Sequence, residues 1–193
     1  MRNDMIDLLS DYCKKIELDI TDTQLQQFDD YYRFLLEKNK VMNLTTIIEK
    51  EDVVLKHFID SIYIMKYTDF DEKKVIDIGT GAGFPGIPLA IMNPQTSFVL
   101  LDSLNKRINF LNEVCNLCNL SNVITIHGRA EEISRKEEYR EKFDYVVSRA
   151  VANLTVLSEY CLPYVKTGGT FISYKSGTVQ EEAEEAEKAI NIL

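Results

Sequence analysis

The sequence predicts an α/β fold with a mostly parallel sheet, helices on both faces of it and a helical segment in front. Between Val75 and Tyr174, apolar runs of strand length alternate with helical or mixed stretches, which is the pattern of successive βαβ units. Helical periodicity dominates the part of the chain that precedes Val75. With 193 residues and 45% hydrophobic content, the chain suffices for one α/β core with an N-terminal appendage.

Residues 1–70 are predicted to form a helical segment that packs on the catalytic domain, and residues 71–193 are predicted to form that domain. Thr21 and Gln24 have the spacing of a capping box at a helix start. Apolar side chains then follow helical spacing in two stretches, first Leu25, Phe28, Tyr32, Leu35 and Leu36, later Val53, Val54, Phe58, Ile62 and Met65. The polar interval 39–46 between them predicts a loop.

Five strands are predicted in the second part. They are Val75–Ile78, Ser97–Asp102, Asn122–His127, Phe143–Ser148 and Gly169–Tyr174, with a helix over 104–119. In open parallel sheets, ligands bind beyond the carboxyl ends of the strands. Four segments are therefore expected to converge on one site, namely Asp77–Gly83, Asp102–Leu104, Gly128–Glu131 and Ser148–Ala150.

The segment from Val75 to Gly86 is the most informative, because it combines a strand, an acid and four clustered glycines. The glycines at 79, 81, 83 and 86 allow positive φ and close approach of a ligand. The stretch from Gly81 to Gly86 matches the dinucleotide fingerprint G-x-G-x-x-G, but it starts three residues after the strand, and Pro85 removes one N–H donor. NAD binding and a simple tight turn stay open as alternatives.

An acid followed by G-x-G-x-G, here Asp77-x-Gly79-x-Gly81-x-Gly83, resembles motif I of the class I S-adenosylmethionine-dependent methyltransferases. The resemblance implies a Rossmann-like sheet and S-adenosylmethionine as cofactor, whose ammonium and sulfonium a carboxylate can complement. Asp102 ends the next strand, 25 residues after Asp77, and is predicted to accept hydrogen bonds from the ribose hydroxyls. The alternative for Asp102 is an N-cap of the following helix.

The composition favours a cytoplasmic protein without a membrane span. No window approaches the roughly 18 apolar residues that a span requires, and the first ten residues carry Asp4 and Asp7. The four cysteines suit a reducing compartment. Cys115 and Cys118 have metal-like spacing but lie in a predicted helix without a second pair, so helix packing is preferred and no metal is predicted.

Five ordered motifs run over nearly the whole chain, namely Asn43–Thr45, Lys56–Ser61, Asp77–Leu89, Arg129–Glu132 and Ser148–Ala152. Together they resemble the RsmG (GidB) family of bacterial ribosomal RNA methyltransferases. The family-level signals are Gly-Phe-Pro-Gly-Ile-Pro, the Lys-His-Phe-x-Asp-Ser segment and the Ser-Arg-Ala-Val segment.

This resemblance implies methylation of guanine N7 in the helix 18 loop of 16S ribosomal RNA, at the guanine usually called position 527. The predicted cofactor site consists of Asp77, Gly79, Gly81, Gly83, Phe84, Asp102, Ser103, Leu104, Ala130, Glu131 and Arg149. Arg149 is also a candidate for positioning a carboxylate or phosphate, and a structural salt bridge is the alternative. Guanine N7 has a free lone pair, so no general base is expected. His57 is assigned to helix structure or RNA contact, and His127 to packing.

The expected partner is 16S ribosomal RNA or the small ribosomal subunit, bound by a monomer. Net charge is −9, with 17 acids and 17 bases between residues 38 and 178, which argues against a diffuse basic surface. We expect cations to cluster around the cleft instead. The RNA-binding candidates are Lys40, Lys56, His57, Lys106, Arg107 and Arg129, with Lys38 and Arg149 as further cations of that cluster.

The end of the chain departs from the family pattern. Members usually continue past the acidic helix Gln180–Ile192 into a final pair of strands, whereas the sequence stops at Leu193. The sheet is therefore expected to lack its last two strands and to expose an edge. A methyltransferase of a protein or small molecule, and a non-catalytic cofactor-binding or RNA-binding module, remain alternatives.

Overall fold

A computed structural model describes residues 4–149, 152–175 and 179–191. Its centre is a sheet of five parallel strands in the order β3-β2-β1-β4-β5. The strands are β1 (Lys74–Ile78), β2 (Ser97–Asp102), β3 (Val123–His127), β4 (Phe143–Arg149) and β5 (Val165–Tyr174). All five predicted strands are present. The fifth begins four residues earlier than predicted, next to an irregularity in its pairing with β4 between Phe143 and Tyr145.

Helices cover both faces of the sheet. The α-helices are α1 (Asp4–Lys15), α2 (Asp22–Met42), α3 (Lys50–Val53), α4 (Asp60–Ile62), α5 (Gly86–Met92), α6 (Asn105–Leu117), α7 (Ala130–Ile133), α8 (Leu154–Cys161) and α9 (Val179–Ile190). A π-helical segment, Val54–Ile59, joins α3 to α4, and a 3₁₀ turn, Tyr63–Lys66, follows α4. The α/β class with a parallel sheet is confirmed. Among the described helices, none is long and apolar enough to cross a membrane.

Alternating side chains of the central strands pack on opposite faces of the sheet. Ile76 and Ile78 of β1 belong to a cluster with α7 and α8, whereas Val75 packs with residues of α5 on the other face. Leu100 of β2 joins the largest cluster, which includes residues of α1, α2, α5 and α6. The period of two therefore assigns each of these side chains to one face of the sheet or the other.

The N-terminal helices share the largest apolar cluster with α5 and α6. Thr21 and Gln24 form the predicted capping box at the start of α2. The prediction of a loop over 39–46 was wrong in its first half, because α2 continues to Met42. Asn43 ends this helix in the left-handed region, at φ 51°, where asparagine is among the residues tolerated. The division of the chain at residue 70 stays a prediction.

Strand β5 has a single hydrogen-bonded neighbour, β4, and is an edge of the sheet within the described residues. Helix α9 follows it and packs on α8, with Ala186 fully buried. An ion pair of 2.6 Å joins Lys175, directly after β5, to Glu182 of α9. Ala150 and Val151 of the Ser-Arg-Ala-Val motif lie outside the described residues.

Candidate active site

A cleft of about 1530 Å³ opens at the carboxyl ends of the strands. Its wall contains parts of the glycine loop, of the π-helical segment and of β4 and β5. A smaller cavity of about 150 Å³ adjoins it, and the two cavities share Gly79, Asp102 and Ser103. The predicted convergence of segments at this edge is present for the described residues.

The loop after β1 takes the conformation that its glycines predict at three positions. Gly79, Gly81 and Gly83 have φ of 70°, 62° and 100°. A Cβ on Gly81 would meet nothing closer than 3.9 Å, so this part of the loop faces open space. Gly86 differs from the prediction: its φ is not positive, and a Cβ there would lie 2.8 Å from Oδ2 of Asp77. Close packing, rather than backbone conformation, requires the glycine at 86.

Asp77 lies beneath the loop rather than on the wall of either cavity. It is fully buried, and its Oδ2 accepts a hydrogen bond of 2.9 Å from the N–H of Gly86 at the start of α5. Oδ1 of Asp77 and Oγ1 of Thr80 have no hydrogen-bond partner among the described residues. Burial raises the pKa of Asp77 to about 7, against the lowering effect of the hydrogen bond from the N–H of Gly86. Asp77 therefore shapes the loop, and its charge near pH 7 is partial.

Asp102 stands at the junction of the two cavities with a side chain that is only 2% exposed. Its Oδ1 accepts from the N–H of Leu104 at 2.9 Å, and its Oδ2 accepts from the N–H of Gly81 at 3.0 Å. Arg107 also reaches Oδ2, at 3.2 Å. The carboxylate thus holds the backbone just before α6, but the capping alternative was wrong, because the N-cap of α6 is Leu104 and no side chain caps this helix. Asp102 also borders the larger cleft.

The smaller cavity is bounded by the start of α7. Ala130, Glu131 and Arg129 line it together with Gly128 and apolar side chains of β1 and β2. The hydroxyl of Tyr164 donates to the carbonyl of Ala130 at 2.7 Å and holds this backbone in place. An apolar slot edged by peptide groups suits a planar heterocycle such as adenine.

Arg149, at the end of β4, points across the larger cleft to the π-helical segment. It donates to the carbonyl of Lys56, to Oδ2 of Asp60 and to Nδ1 of His57, each at 3.1 Å. Its guanidinium also lies 4.9 Å from the ring centre of Phe84. The salt-bridge alternative for Arg149 is therefore realised, and the side chain still lines the cleft with 14% of its surface exposed.

His57 is buried between Arg149, Phe84 and Thr45. Its ring stacks on Phe84 with centroids 4.3 Å apart, and its Nε2 lies 2.9 Å from Oγ1 of Thr45. Burial and the neighbouring Arg149 charge lower the pKa of His57 to about 4. Since both ring nitrogens already have partners, the structural interpretation of His57 is favoured over direct RNA contact.

The remaining cations occupy different positions relative to the cleft. Lys56 and Arg107 line the larger cavity and Arg129 the smaller, but each pairs with an acid: Asp52, Asp102 and Glu131 respectively. Lys40 and Lys106 are exposed and line neither cavity. Lys38 pairs with Glu113. The predicted clustering is thus present for only part of the set.

Several residues of the site were not predicted from the sequence. Tyr31 of α2 donates to the carbonyl of Ala82 within the glycine loop, although no local pattern indicates this contact. Tyr63 and Tyr67 line the larger cleft, and their four-residue spacing on a helical stretch was a usable signal. Cys118, by contrast, is buried and donates to the carbonyl of Gln27, in agreement with packing rather than ligation.

The residues at the junction fit a nucleoside cofactor with vicinal hydroxyls. Asp102 offers carboxylate oxygens, Gly81 an approach free of Cβ atoms, and the smaller cavity a slot for a base. Gly83 and Leu104 support this arrangement from behind: the Cβ position of Gly83 faces Tyr31 at 2.9 Å, and Leu104 binds Asp102 through its backbone. The glycine loop, the acid at the end of β2 and the smaller cavity occur in the order that the motif resemblance implies.

Solved structures share this fold. A S-adenosylmethionine-dependent O-methyltransferase of Thermotoga maritima superposes with a TM-score of 0.56 at 17% identity, over 82% of this chain and 56% of that one. A S-adenosylmethionine-dependent methyltransferase of Aquifex aeolicus gives a TM-score of 0.55 at 16% identity, over 72% of this chain and 81% of that one. The fold of this chain is that of the class I methyltransferases.

Sequence comparison gives the particular family. The family model described as rRNA small subunit methyltransferase G, GidB, matches residues 24–193. The ribosomal RNA small subunit methyltransferase G of Desulforamulus reducens is 53% identical over 192 residues, which cover 99% of this chain and 80% of that protein. Its counterpart in Lachnoclostridium phytofermentans is 56% identical over 181 residues, 93% of this chain and 75% of that protein. The chain belongs to the rRNA small subunit methyltransferase G family, as its motifs predicted.

Proposed function

We propose that this protein transfers a methyl group from S-adenosylmethionine to N7 of a guanine in the helix 18 loop of 16S ribosomal RNA. The observation that carries the proposal is the junction of the two cavities at Asp102, in a chain that belongs to this family. The smaller cavity suits the adenine and the larger one has room for methionine and a flipped base. A substrate in the ribosome assigns the enzyme to the cytoplasm, and the monomeric state stays a prediction.

S-adenosylmethionine, when bound, supplies an electrophilic methyl group on a sulfonium. Asp77 and Gly86 fix the glycine loop, Asp102 orients the ribose, and Ala130 with Glu131 borders the base. Gly83 and Leu104 are proposed to support this wall from behind. These groups bind and align the donor, which is the main requirement for transfer to a ready nucleophile.

Guanine N7 needs no base to remove a proton before attack. In agreement with this chemistry, His57 is buried with both nitrogens engaged, and its lowered pKa keeps it uncharged at neutral pH. Arg149 is held rigidly at the cleft wall by three acceptors. We assign Arg149 to positioning of the substrate and exclusion of water, not to proton transfer.

RNA contact is proposed for the cations at the rim. Lys56, Arg107 and Arg129 have carboxylate partners on the protein and can exchange these for phosphate oxygens when RNA arrives. Lys40 and Lys106 are exposed but line neither cavity, so their contact with RNA stays a prediction. With a net charge of −9, the protein should bind a folded substrate that fits the cleft more tightly than it binds RNA in general.

The test is transfer of labelled methyl from S-adenosylmethionine to small ribosomal subunits that lack the modification, followed by cleavage selective for N7-methylguanine. We expect one labelled guanine, in the helix 18 loop. Subunits that already carry the modification are the control and should accept no label. Label at another base, or transfer to protein only, would overturn the proposed substrate while leaving the cofactor assignment in place.

A further inference from the structure

Two tyrosines at the rim of the larger cleft have rings that face solvent. Tyr63 is 44% exposed and Tyr67 is 73% exposed. Across the described residues, the exposed large apolar side chains otherwise belong to aliphatic residues, so these two are the aromatic members of that set. Their ring centroids lie 5.9 Å apart at 69°. In such an edge-to-face pair each ring has at least one face that its partner does not cover.

The pair has a fixed place in the fold. Tyr63 begins the 3₁₀ turn after α4, and the N–H of Tyr67 closes this turn on the carbonyl of Ile64 at 2.9 Å. Two residues before Tyr63, the carbonyl of Ser61 accepts from the hydroxyl of Tyr174 at 2.9 Å, which ties the helix to β5. The rings are therefore carried on backbone that is anchored to the sheet.

Both tyrosines line the same cleft as Asp60 and Arg149. Packing does not explain them, because other aromatic side chains of this region, such as Phe58 and Phe84, are buried. The cleft also presents cationic groups of Lys56, Arg107 and Arg149 to an occupant. Exposed rings beside cations form the pattern that binds unpaired nucleotides: the rings stack on bases and the cations meet phosphates.

We infer that Tyr63 and Tyr67 form a stacking platform for an unpaired base adjacent to the guanine that is methylated. This inference rests on the proposed function and names a part of the RNA that the enzyme grips. A target base can enter the cleft only if it leaves its own stack, and its neighbour then also loses a stacking partner. The platform replaces that partner and holds the RNA open.

The first test is methyl transfer to unmodified small subunits by Tyr63→Ala, Tyr67→Ala and the double variant. We expect the KM for the RNA substrate to rise about 5- to 100-fold for a lost stack, with the affinity for S-adenosylmethionine unchanged. Tyr63→Phe and Tyr67→Phe keep the rings and should behave as the parent. Ile124→Ala is the matched control, since Ile124 is 57% exposed on β3 and lines neither cavity.

The second test pairs these variants with altered RNA. A labelled single-stranded oligoribonucleotide with one guanine is compared with versions that carry an abasic site before or after that guanine. If the platform stacks on a neighbouring base, one abasic position weakens binding to the parent protein but has no further effect on Tyr67→Ala. The slope of log affinity against log salt should stay the same in the tyrosine variants, because no phosphate contact is lost.

Four outcomes would overturn the inference. If the alanine variants keep the parental KM for RNA, the rings do not contribute to RNA binding. If the effects of variant and abasic site are additive, the rings contact something other than the neighbouring base. A defect with assembled subunits but not with naked RNA indicates a ribosomal protein as the occupant. If the parent protein itself fails to methylate subunits and to bind RNA, the proposed function has failed and the platform with it.

Discussion

The guanidinium of Arg149 and the imidazole of His57 share a hydrogen bond of 3.1 Å across 92 residues of chain. Because arginine can only donate, Nδ1 of His57 must be the acceptor, and the ring proton lies on Nε2, which faces Oγ1 of Thr45. One tautomer of a neutral histidine is thereby fixed. The histidine and the aspartate of the Lys-His-Phe-x-Asp-Ser motif thus contact the same residue, the arginine of Ser-Arg-Ala-Val.

His57 and Asp77 should give opposite pH dependences of stability. The pKa of His57 falls from 6.5 to about 4 on folding, so its contribution is complete above pH 6.5 and is lost as the pH falls towards 4. The pKa of Asp77 rises from 3.8 to about 7, so its contribution is complete below pH 3.8 and is lost as the pH rises towards 7. Each effect is on the order of 3 kcal/mol, and between pH 4 and 6.5 they oppose each other.

Urea unfolding of His57→Gln and Asp77→Asn, at intervals from pH 4.5 to 7.5, measures the two effects. Relative to the parent, Asp77→Asn should lose stability as the pH falls, and His57→Gln should gain it. His127→Gln is the control, because it removes the other histidine of the chain at an exposed strand end. Parallel pH curves for all four proteins would contradict the assignment.

Asp102→Ala should weaken S-adenosylmethionine binding by about 1 to 3 kcal/mol, since hydrogen bonds from both ribose hydroxyls to a charged acceptor are lost. Arg107→Ala should instead strengthen S-adenosylmethionine binding. It removes a competitor for Oδ2 of Asp102, which is worth about 0 to 1 kcal/mol for a pair with an accessible arginine. Calorimetric titration with S-adenosylhomocysteine measures both, and unchanged affinity for Asp102→Ala would reject the ribose contact.

The same Arg107→Ala protein should bind RNA more weakly, because its proposed phosphate contact is gone. A shallower salt dependence, by about one unit of slope, is the expected signature. Lys136→Ala removes an exposed cation that lines neither cavity and serves as the control. If RNA affinity and slope stay parental in Arg107→Ala, the arginine belongs to Asp102 alone.

Tyr31→Phe should lower both stability and cofactor affinity. The variant leaves the buried carbonyl of Ala82 without its donor, which costs about 1 to 3 kcal/mol in unfolding free energy. A loosened loop should also bind S-adenosylhomocysteine less tightly. Tyr12→Phe is the comparison, because its hydroxyl contacts Glu51 at 3.5 Å on the surface and should matter little.

Gly86→Ala and Gly81→Ala should impair the protein for different reasons, the first mainly through stability and the second mainly through cofactor affinity. A methyl group at 86 collides with Leu100 and Asp77 in the core and should cost about 1 to 3 kcal/mol of stability. A methyl group at 81 meets no atom within 3.9 Å, so its effect should be a smaller backbone cost of about 1 kcal/mol and a loss of cofactor affinity. Gly168→Ala, also at positive φ in open space, controls for the backbone cost, and thermal unfolding with calorimetry separates the cases.

Local patterns predicted most of the sheet and the glycine loop. Apolar runs such as Ser97–Asp102 carry their own strand signal, and the turn after β1 needs glycine whatever the rest of the chain does. The helical spacing of residues 53–65 was also predicted from the sequence. The sequence did not indicate that the first turns of this helix widen into a π-helical segment that faces Arg149. Segments of π-helix are favoured by such tertiary contacts rather than by composition.

Contacts between distant parts of the chain were beyond sequence reasoning. Asp60 and Arg149 each belong to a motif recognised in the sequence. Nothing in either motif indicates that the two side chains pair across 89 residues. The end of α2 was misjudged for a related reason. Asn39 looks like a loop residue, but its amide exchanges two hydrogen bonds with the backbone of Thr45, which stabilises the last helical turn and the bend after it.

The contact of Tyr31 with Ala82 couples the docking of α2 to the binding of cofactor. A ligand that orders the glycine loop should stabilise the docking of α2, and by linkage a change that loosens α2 should weaken ligand binding by the same free energy. Amide exchange along α2 should therefore slow when S-adenosylhomocysteine is added, far from any atom it touches. A helix that contributes no residue to the cleft wall would then act as the sensor of whether the enzyme is loaded.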